Sequence, residues 1–324
     1  MLNIAYATDR GYMIPTFVSA ASALYWADKS RADVIINILD VGIPDSDWTK
    51  FETRLRALFG QEFGLVRHRV DETVFKGFKQ WHNSIAAYAR LLLPDILPSE
   101  NWCIYCDGDT LFTGNPMKLL EVFDERYALI GHRDNDSRIQ ERWFADHGYK
   151  FNPDEYICSG FLVLNLDLFR RVSLGPKCLE FIKKNEDVIY PDQDALNIVC
   201  HDRILQLRDK WGEFGYKYGD ILTQGCIHYG SRQPWNLKFM RNRGMLDIEY
   251  LWFRFANVVC KLPLREALLG RPRIRFFYLR FIALIFKYIN ILSSKIPCLS
   301  SRTRIAMEQM ICEVDIDKFL SRTV

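Results

Sequence analysis

The stretch Ile104-Tyr105-Cys106-Asp107-Gly108-Asp109 decides the reading of this 324-residue chain. An apolar run delivers two carboxylates, with a glycine between them, to the point where a buried strand would end. In an extended backbone alternate side chains share a side, so both acids would point the same way. The glycine leaves the backbone free to turn between them. Hard oxygen ligands of this kind suit Mg²⁺ or Mn²⁺, and such a cation neutralises a diphosphate. Asp-x-Asp is also common in ordinary solvated turns. Here the strand that feeds it would carry the acids to the ligand edge of a sheet.

Outward from that stretch, short apolar runs alternate with segments of helical spacing. Strands are expected at 2–7, 34–39, 65–70, 102–105, 128–131 and 160–166, with a short one in 226–230. Helical spacing appears at 15–28, 46–59, 83–93 and 174–186, and Pro191 opens another helix with Asp192 as its N-cap. Strand–helix alternation predicts an α/β fold with a mostly parallel sheet covered by helices. Ligands in such sheets bind beyond the carboxyl ends of strands. Attention therefore falls on Asp9, after the first strand, and on the acidic pair after the fourth.

Nearly half of the residues are apolar, enough for a large core. The nine cysteines are scattered, mostly through apolar runs, and their pattern matches neither a zinc site nor a disulfide framework. A reducing compartment is expected. With the first strand starting at once, no secretory leader is expected, and no run of about 18 uncharged apolar residues suggests a membrane span. The formal charge is only +3, but eleven basic residues and a single acid fall between Arg254 and Arg304. The remainder of the chain is net acidic, which argues against a nucleic-acid partner. We place a composition boundary near 236–245.

His228, in Cys226-Ile227-His228-Tyr229-Gly230, is the other residue of interest. A lone histidine is more often a satisfied core or surface residue than a ligand. Nitrogen added to two carboxylates would favour Mn²⁺ over Mg²⁺, but local sequence does not bring His228 to Asp107.

Six segments, read together, resemble glycosyltransferase family 8, the family of glycogenin and the bacterial lipopolysaccharide galactosyl- and glucosyltransferases. They are Ile4 to Asp9, Tyr88-Ala89-Arg90-Leu91, Tyr105 to Asp109, Ser159 to Leu166, Asp192-Gln193-Asp194-Ala195-Leu196-Asn197, and His228-Tyr229-Gly230 with Pro234-Trp235. They occur in the family's order over about residues 1–236. The resemblance implies a GT-A fold (Rossmann-like, mixed but mostly parallel) and a retaining UDP-hexose transferase. It implies a nucleotide-binding half at about 1–110, a donor and acceptor half at about 111–236, and an appended basic, aromatic helical region at 237–324.

Position by position, the resemblance places Ala7, Thr8, Asp9, Gly11 and Tyr12 around the uridine. Asp107, Asp109 and His228 become metal ligands, with Gly108 between the acids. Arg90 bridges donor sugar and acidic pair, and Asp134 and Asp192 bind sugar hydroxyls. Ser159 and Gly160 let the backbone approach the donor, and Gln193 lies on the reacting face of the anomeric carbon. Gly230, Arg232 and Gln233 meet the diphosphate. Two departures stand out: Cys158-Ser159-Gly160 replaces the usual Asn-x-Gly, and Gln233 stands where the family commonly has lysine, with Arg232 beside it.

The expected cofactor is Mn²⁺ or Mg²⁺, the donor a UDP-hexose and the acceptor a glycolipid or oligosaccharide. Same-face attack is favoured, because Gln193 is a poor nucleophile; Asp194 as a covalent nucleophile is the alternative. The rival reading is a weakened UDP-sugar-binding or scaffold protein on the same fold. Basic residues with aromatic flanks over 252–304 predict association with an anionic membrane surface. The expected location is cytoplasmic, peripheral on the inner face of the membrane.

Overall fold

The computed structural model describes residues 1–28, 33–80, 84–134, 138–150, 152–207, 211–214, 225–237, 245 and 247–293. In chain order its elements are β1 (Leu2–Thr8), α1 (Met13–Trp26), β2 (Val34–Asp40), α2 (Asp45–Phe59), β3 (Gly64–Arg69), α3 (Leu93–Ile96), β4 (Trp102–Cys106), β5 (Thr110–Phe112), β6 (Leu129–Arg133), α4 (Arg138–Asp146), β7 (Ile157–Asn165), α5 (Leu166–Arg171), α6 (Leu174–Lys184), α7 (Pro191–Val199), β8 (Ile204–Gln206), β9 (Trp211–Phe214), β10 (Cys226–His228), α8 (Asp247–Val258), α9 (Leu264–Ala267) and α10 (Arg273–Ser293). The segment Ala86–Leu92, expected to be α-helical, is a 3-10 helix.

Two compact units result: Met1–Glu213 with Gly225–His228, and Phe214–Gln224 with Tyr229–Val324. In the first, seven strands order as β3-β2-β1-β4-β7-β6-β8. β1, β2, β3 and β4 run parallel, whereas β7 is antiparallel to both β4 and β6. The strand order reverses beside β1, where β2 leaves to one side and β4 takes the other. At such a switch point, beyond the carboxyl ends of β1 and β4, sheets of this kind take their ligands.

β1 is buried along its whole length, which is why it reads as a continuous apolar run instead of an alternating one. One face carries Ala5, Ala7, Leu39, Cys103, Tyr105, Leu162 and Leu164, packed in one cluster with Phe169 of α5, Leu174 of α6 and Leu196 of α7. On the other face α1 lies down through hydroxyls three residues apart. Ser19 Oγ donates to Tyr6 Oη at 3.3 Å and shares a 2.6 Å hydrogen bond with Thr110 Oγ1. Ser22 Oγ accepts the Phe112 amide at 2.9 Å. This seam fixes β5, and with it the end of the Asp-Gly-Asp turn.

A separate three-stranded sheet orders β5-β10-β9. In it β10 runs antiparallel to β5, with His228 opposite Thr110.

In the second unit, Tyr229 Oη donates to Ile248 O at 2.9 Å, and the Trp235 and Trp252 rings pack 4.9 Å apart. One face of α10 is buried through Phe276 and Leu279, with Phe276 edge-on to Phe253 of α8 at 4.9 Å. The opposite face leaves Ile274, Phe277, Tyr278, Phe281 and Leu284 between 41 and 80 % exposed. Arg280, one of the basic residues of this region, pairs with Asp247 at 2.8 Å and lies over the Tyr250 ring. Lys295, Arg302 and Arg304 lie outside the described residues. No described helix is long and apolar enough to cross a membrane.

Candidate active site

β4 ends at Cys106, and the next residue keeps the strand's alternation. Asp107 therefore emerges on the side of Tyr105, whose hydroxyl donates to its Oδ1 at 2.8 Å. The Asp107 amide donates to Gly160 O at 2.8 Å, so the start of antiparallel β7 lies against the end of β4. Gly108 matters here for space and not for an unusual turn. A Cβ on it would come within 2.5 Å of Thr16 Oγ1 and 2.9 Å of Tyr12 Cδ1. The flexibility expected of it from sequence is thus a packing requirement against α1.

Pairing of β10 with β5 brings His228 to the acids. Its Nε2 lies 3.4 Å from Asp109 Oδ1 and 3.9 Å from Asp107 Oδ2. One ligand atom from each of the three residues falls within 4.8 Å of the others. Asp109 and His228 are buried and Asp107 is partly open, so the cluster has a protein side and an accessible side. Burial pushes the Asp107 carboxyl above its ordinary range, against the pull of Arg90. Burial also works against a charged His228, yet the Cys158 sulphur and the Asp109 carboxylate outweigh it and hold the imidazole well above its ordinary value. A divalent cation in this position would displace that proton. Two carboxylate oxygens and one imidazole nitrogen fit Mn²⁺ well. Gly160 keeps the space clear, since a Cβ there would lie 2.5 Å from His228 Nε2 and 2.9 Å from Asp107 Oδ2. The resemblance gives it the role of letting the backbone approach the donor; in the fold it stands beside the Asp107 and His228 side chains.

Arg90 is buried and fully engaged. Its Nη2 donates to Asp107 Oδ1 at 2.9 Å, Nη1 to Ser159 O, and Nε to Ala87 O at 2.7 Å. Nε also stands 3.3 Å from Asp192 Oδ2, and the guanidinium lies 4.3 Å above the Tyr105 ring. One cation thus ties β4, β7 and α7 together.

α7 docks on the beginning of β7 almost as a further strand would. The Asn197 amide takes both the N–H and the C=O of Ile157, each at 2.9 Å. Four residues earlier on the same helix face, Gln193 Oε1 accepts the Ser159 amide at 2.9 Å. Gln193 Nε2 donates to Asp134 Oδ2 at 3.0 Å and to Tyr156 Oη at 3.1 Å. Ser159 Oγ donates to Asp192 Oδ2 at 3.1 Å. Asp192 is not the N-cap expected of it; that position belongs to Tyr190. Proline at N1 and the reach of Asp194 back to the Tyr190 amide, at 2.8 Å, start the helix instead. Asp194 is 1 % exposed and also accepts from the Tyr156 hydroxyl.

The structure therefore brings Arg90, Asp107, Gly108, Asp109, Asp134, Ser159, Gly160, Asp192, Gln193, Asp194 and His228 together at one sheet edge. Of the uridine candidates, Ala7 and Thr8 end β1, and Asp9 accepts the Tyr12 amide at 3.1 Å, opening the short helix that holds Gly11. Tyr12 reaches Asp109 Oδ2 through its hydroxyl at 3.2 Å. Gly230, Arg232 and Gln233 belong to the second unit, in and just after a single 3-10 turn. Tyr156 and Asn197 were missed in the site reading. Asn197 had a signal, the four-residue spacing from Gln193.

A mixed sheet with an Asp-Asp-His cluster beyond the switch point defines a GT-A glycosyltransferase. The profile of Glycosyl transferase family 8 matches residues 3–237, and the chain belongs to that family. It is 27 % identical over 262 residues to General stress protein A of Bacillus subtilis, covering 73 % of this chain and 88 % of that one. To the lipopolysaccharide glucosyltransferase WaaO of Escherichia coli it is 22 % identical over 256 residues, covering 72 % and 73 %. Among solved structures, the galactosyltransferase LgtC with donor and acceptor sugar analogs superposes at a TM-score of 0.66. The sequence identity is 22 %, over 81 % of this chain and 98 % of that one.

Proposed function

We propose that this protein is a retaining, metal-dependent hexosyltransferase. It would move galactose or glucose from a UDP-sugar to a lipopolysaccharide, lipooligosaccharide or other surface-glycan acceptor. The observation that carries the reading is the convergence of Asp107, Asp109 and His228 next to a guanidinium, an arrangement fitted to a diphosphate and its cation. The relatives named for lipopolysaccharide glucosyl and galactosyl transfer support the acceptor class. The catalytic domain is taken as residues 1–236.

When bound, the cation supplies Lewis-acid neutralisation of the departing diphosphate. Asp107, Asp109 and His228 would hold it, and Arg90 would keep Asp107 aimed while adding positive charge to the same region. Asp134 and Asp192 would orient the hexose through its hydroxyls, and Ala7 to Tyr12 would hold the uridine. The loop after His228, with Arg232 and Gln233, would meet the phosphates. Gln193 spends its oxygen on the Ser159 amide and its nitrogen on Asp134 and Tyr156. Asp194 is closed in by Tyr156 and Tyr190. Neither offers a free nucleophile, which favours attack by the acceptor hydroxyl on the face the diphosphate leaves, its proton passing to the leaving phosphate oxygen. The exposed apolar face of α10, with basic residues nearby, would lie on an anionic leaflet at the cytoplasmic side of the membrane.

Incubation with UDP-Glc, UDP-Gal, UDP-GlcNAc and UDP-GalNAc, with and without Mn²⁺, tests the reading. Mn²⁺-dependent UDP release from a hexose donor is expected. Donor binding without release from any of the four would favour the scaffold reading, to which Gln233 in the lysine's place lends weight.

A further inference from the structure

His228 turns its two ring nitrogens to different neighbours. Nε2 faces the acids, and Nδ1 lies 3.5 Å from Sγ of Cys158. Cys158 is buried, in the second position of β7 and two residues before Gly160. Strand alternation turns it to the same side as Gly160, whose missing side chain makes room for the imidazole.

A histidine that binds a metal through one nitrogen is normally held by a partner on the other, which fixes its tautomer and ring orientation. We propose that Cys158 is that partner, a positioning residue for the metal cluster. The Nδ1–H donates to the sulphur, leaving Nε2 unprotonated and aimed at the position between Asp107 and Asp109. This rests on the metal reading given above. It also gives a role to the position at which the chain departs from the family's usual asparagine. A thiol is a weak acceptor compared with a carboxylate, so the contact supplies orientation more than basicity.

The test is Mn²⁺ binding to the full chain, followed by the electron paramagnetic resonance of free Mn²⁺, for the wild type, Cys158→Ala, Cys158→Ser and His228→Ala. Melting temperatures are taken without metal. Cys158→Ala is expected to weaken Mn²⁺ about tenfold, at the lower end of what loss of such a partner costs. Cys158→Ser, which restores a short acceptor, should recover most of it. In transfer assays the Mn²⁺ concentration that gives half the maximal rate should rise by the same factor, about tenfold, in Cys158→Ala. Wild-type binding that Cys158→Ala leaves unchanged would overturn the assignment. So would equal weakening in the Ala and Ser variants in step with lowered melting, which marks a packing role only. A wild-type chain that takes up no Mn²⁺ brings down the metal reading together with this one.

Discussion

Arg90 donates through Nη2 to Oδ1 of Asp107 at 2.9 Å, and the same oxygen accepts the Tyr105 hydroxyl at 2.8 Å. One oxygen of Asp107 is thereby occupied, and the other, Oδ2, faces His228. An ammonium cannot reproduce a planar fork that serves Asp107, Ser159 and Ala87 at once. Arg90→Lys should lower kcat/KM by about 10²-fold or more, measured as UDP release. Chemical denaturation should show a loss of about 1–3 kcal/mol, because the charge is kept but buried acceptors at Ser159 and Ala87 lose their donors.

Removal of the metal should stop transfer. Chelation by EDTA is expected to abolish UDP release by the wild type, and added Mn²⁺ to restore it. Asp109→Ala should stay inactive at any Mn²⁺ concentration while keeping its circular dichroism spectrum. Full Mn²⁺-stimulated activity in that variant would contradict the site.

Gly160→Ala tests the clearance around the imidazole. The added methyl would press on His228 Nε2 and Asp107 Oδ2 from 2.5 and 2.9 Å. Overpacking of this kind costs about 1–3 kcal/mol. The ring must turn away, so Mn²⁺ affinity measured by calorimetry should fall at least about tenfold, in line with a disturbed ligand shell.

Burial raises the Asp194 carboxyl to about 7. The folded chain then holds a proton that the unfolded chain has already released, from about pH 4 up to 7. Stability contributed at this group is greatest below pH 4 and declines as pH rises through 7. Asp194→Asn, neutral at every pH, should flatten that part of the melting-temperature profile. An unchanged slope in the variant would place the titration elsewhere.

The exposed face of α10 makes a separate prediction. Phe277→Ser combined with Phe281→Ser removes two large side chains that are 60 and 61 % exposed. Co-sedimentation with vesicles containing anionic lipid should drop severalfold, while transfer to a soluble acceptor is retained. Equal sedimentation of wild type and variant would sink the membrane reading of this helix.

The elements that carry the site were legible because each has a local cause. β1, β2 and β4 announce themselves as apolar runs. Pro191 and the acids after it announce α7, and the glycine between two aspartates marks the end of β4. β5, three residues long, left no such trace, nor did β8 or β9. The pairing of Arg280 with Asp247 left no local trace, because the two lie on different helices.

The amino-acid sequence determined the strand–helix alternation and the acidic pair at a strand tip, both properties of neighbouring residues, and the family, through the order of six short segments along the chain. Only the tertiary structure decided which distant residues complete the cluster. His228 reaches the acids because β10 pairs with β5, and Gln193 is oriented because α7 bonds to the backbone of β7. The first contact is made between backbone groups that every residue carries, so side-chain identity does not reveal which strands will meet. The second joins side-chain amides to backbone far away in the chain, a partner that local sequence does not name.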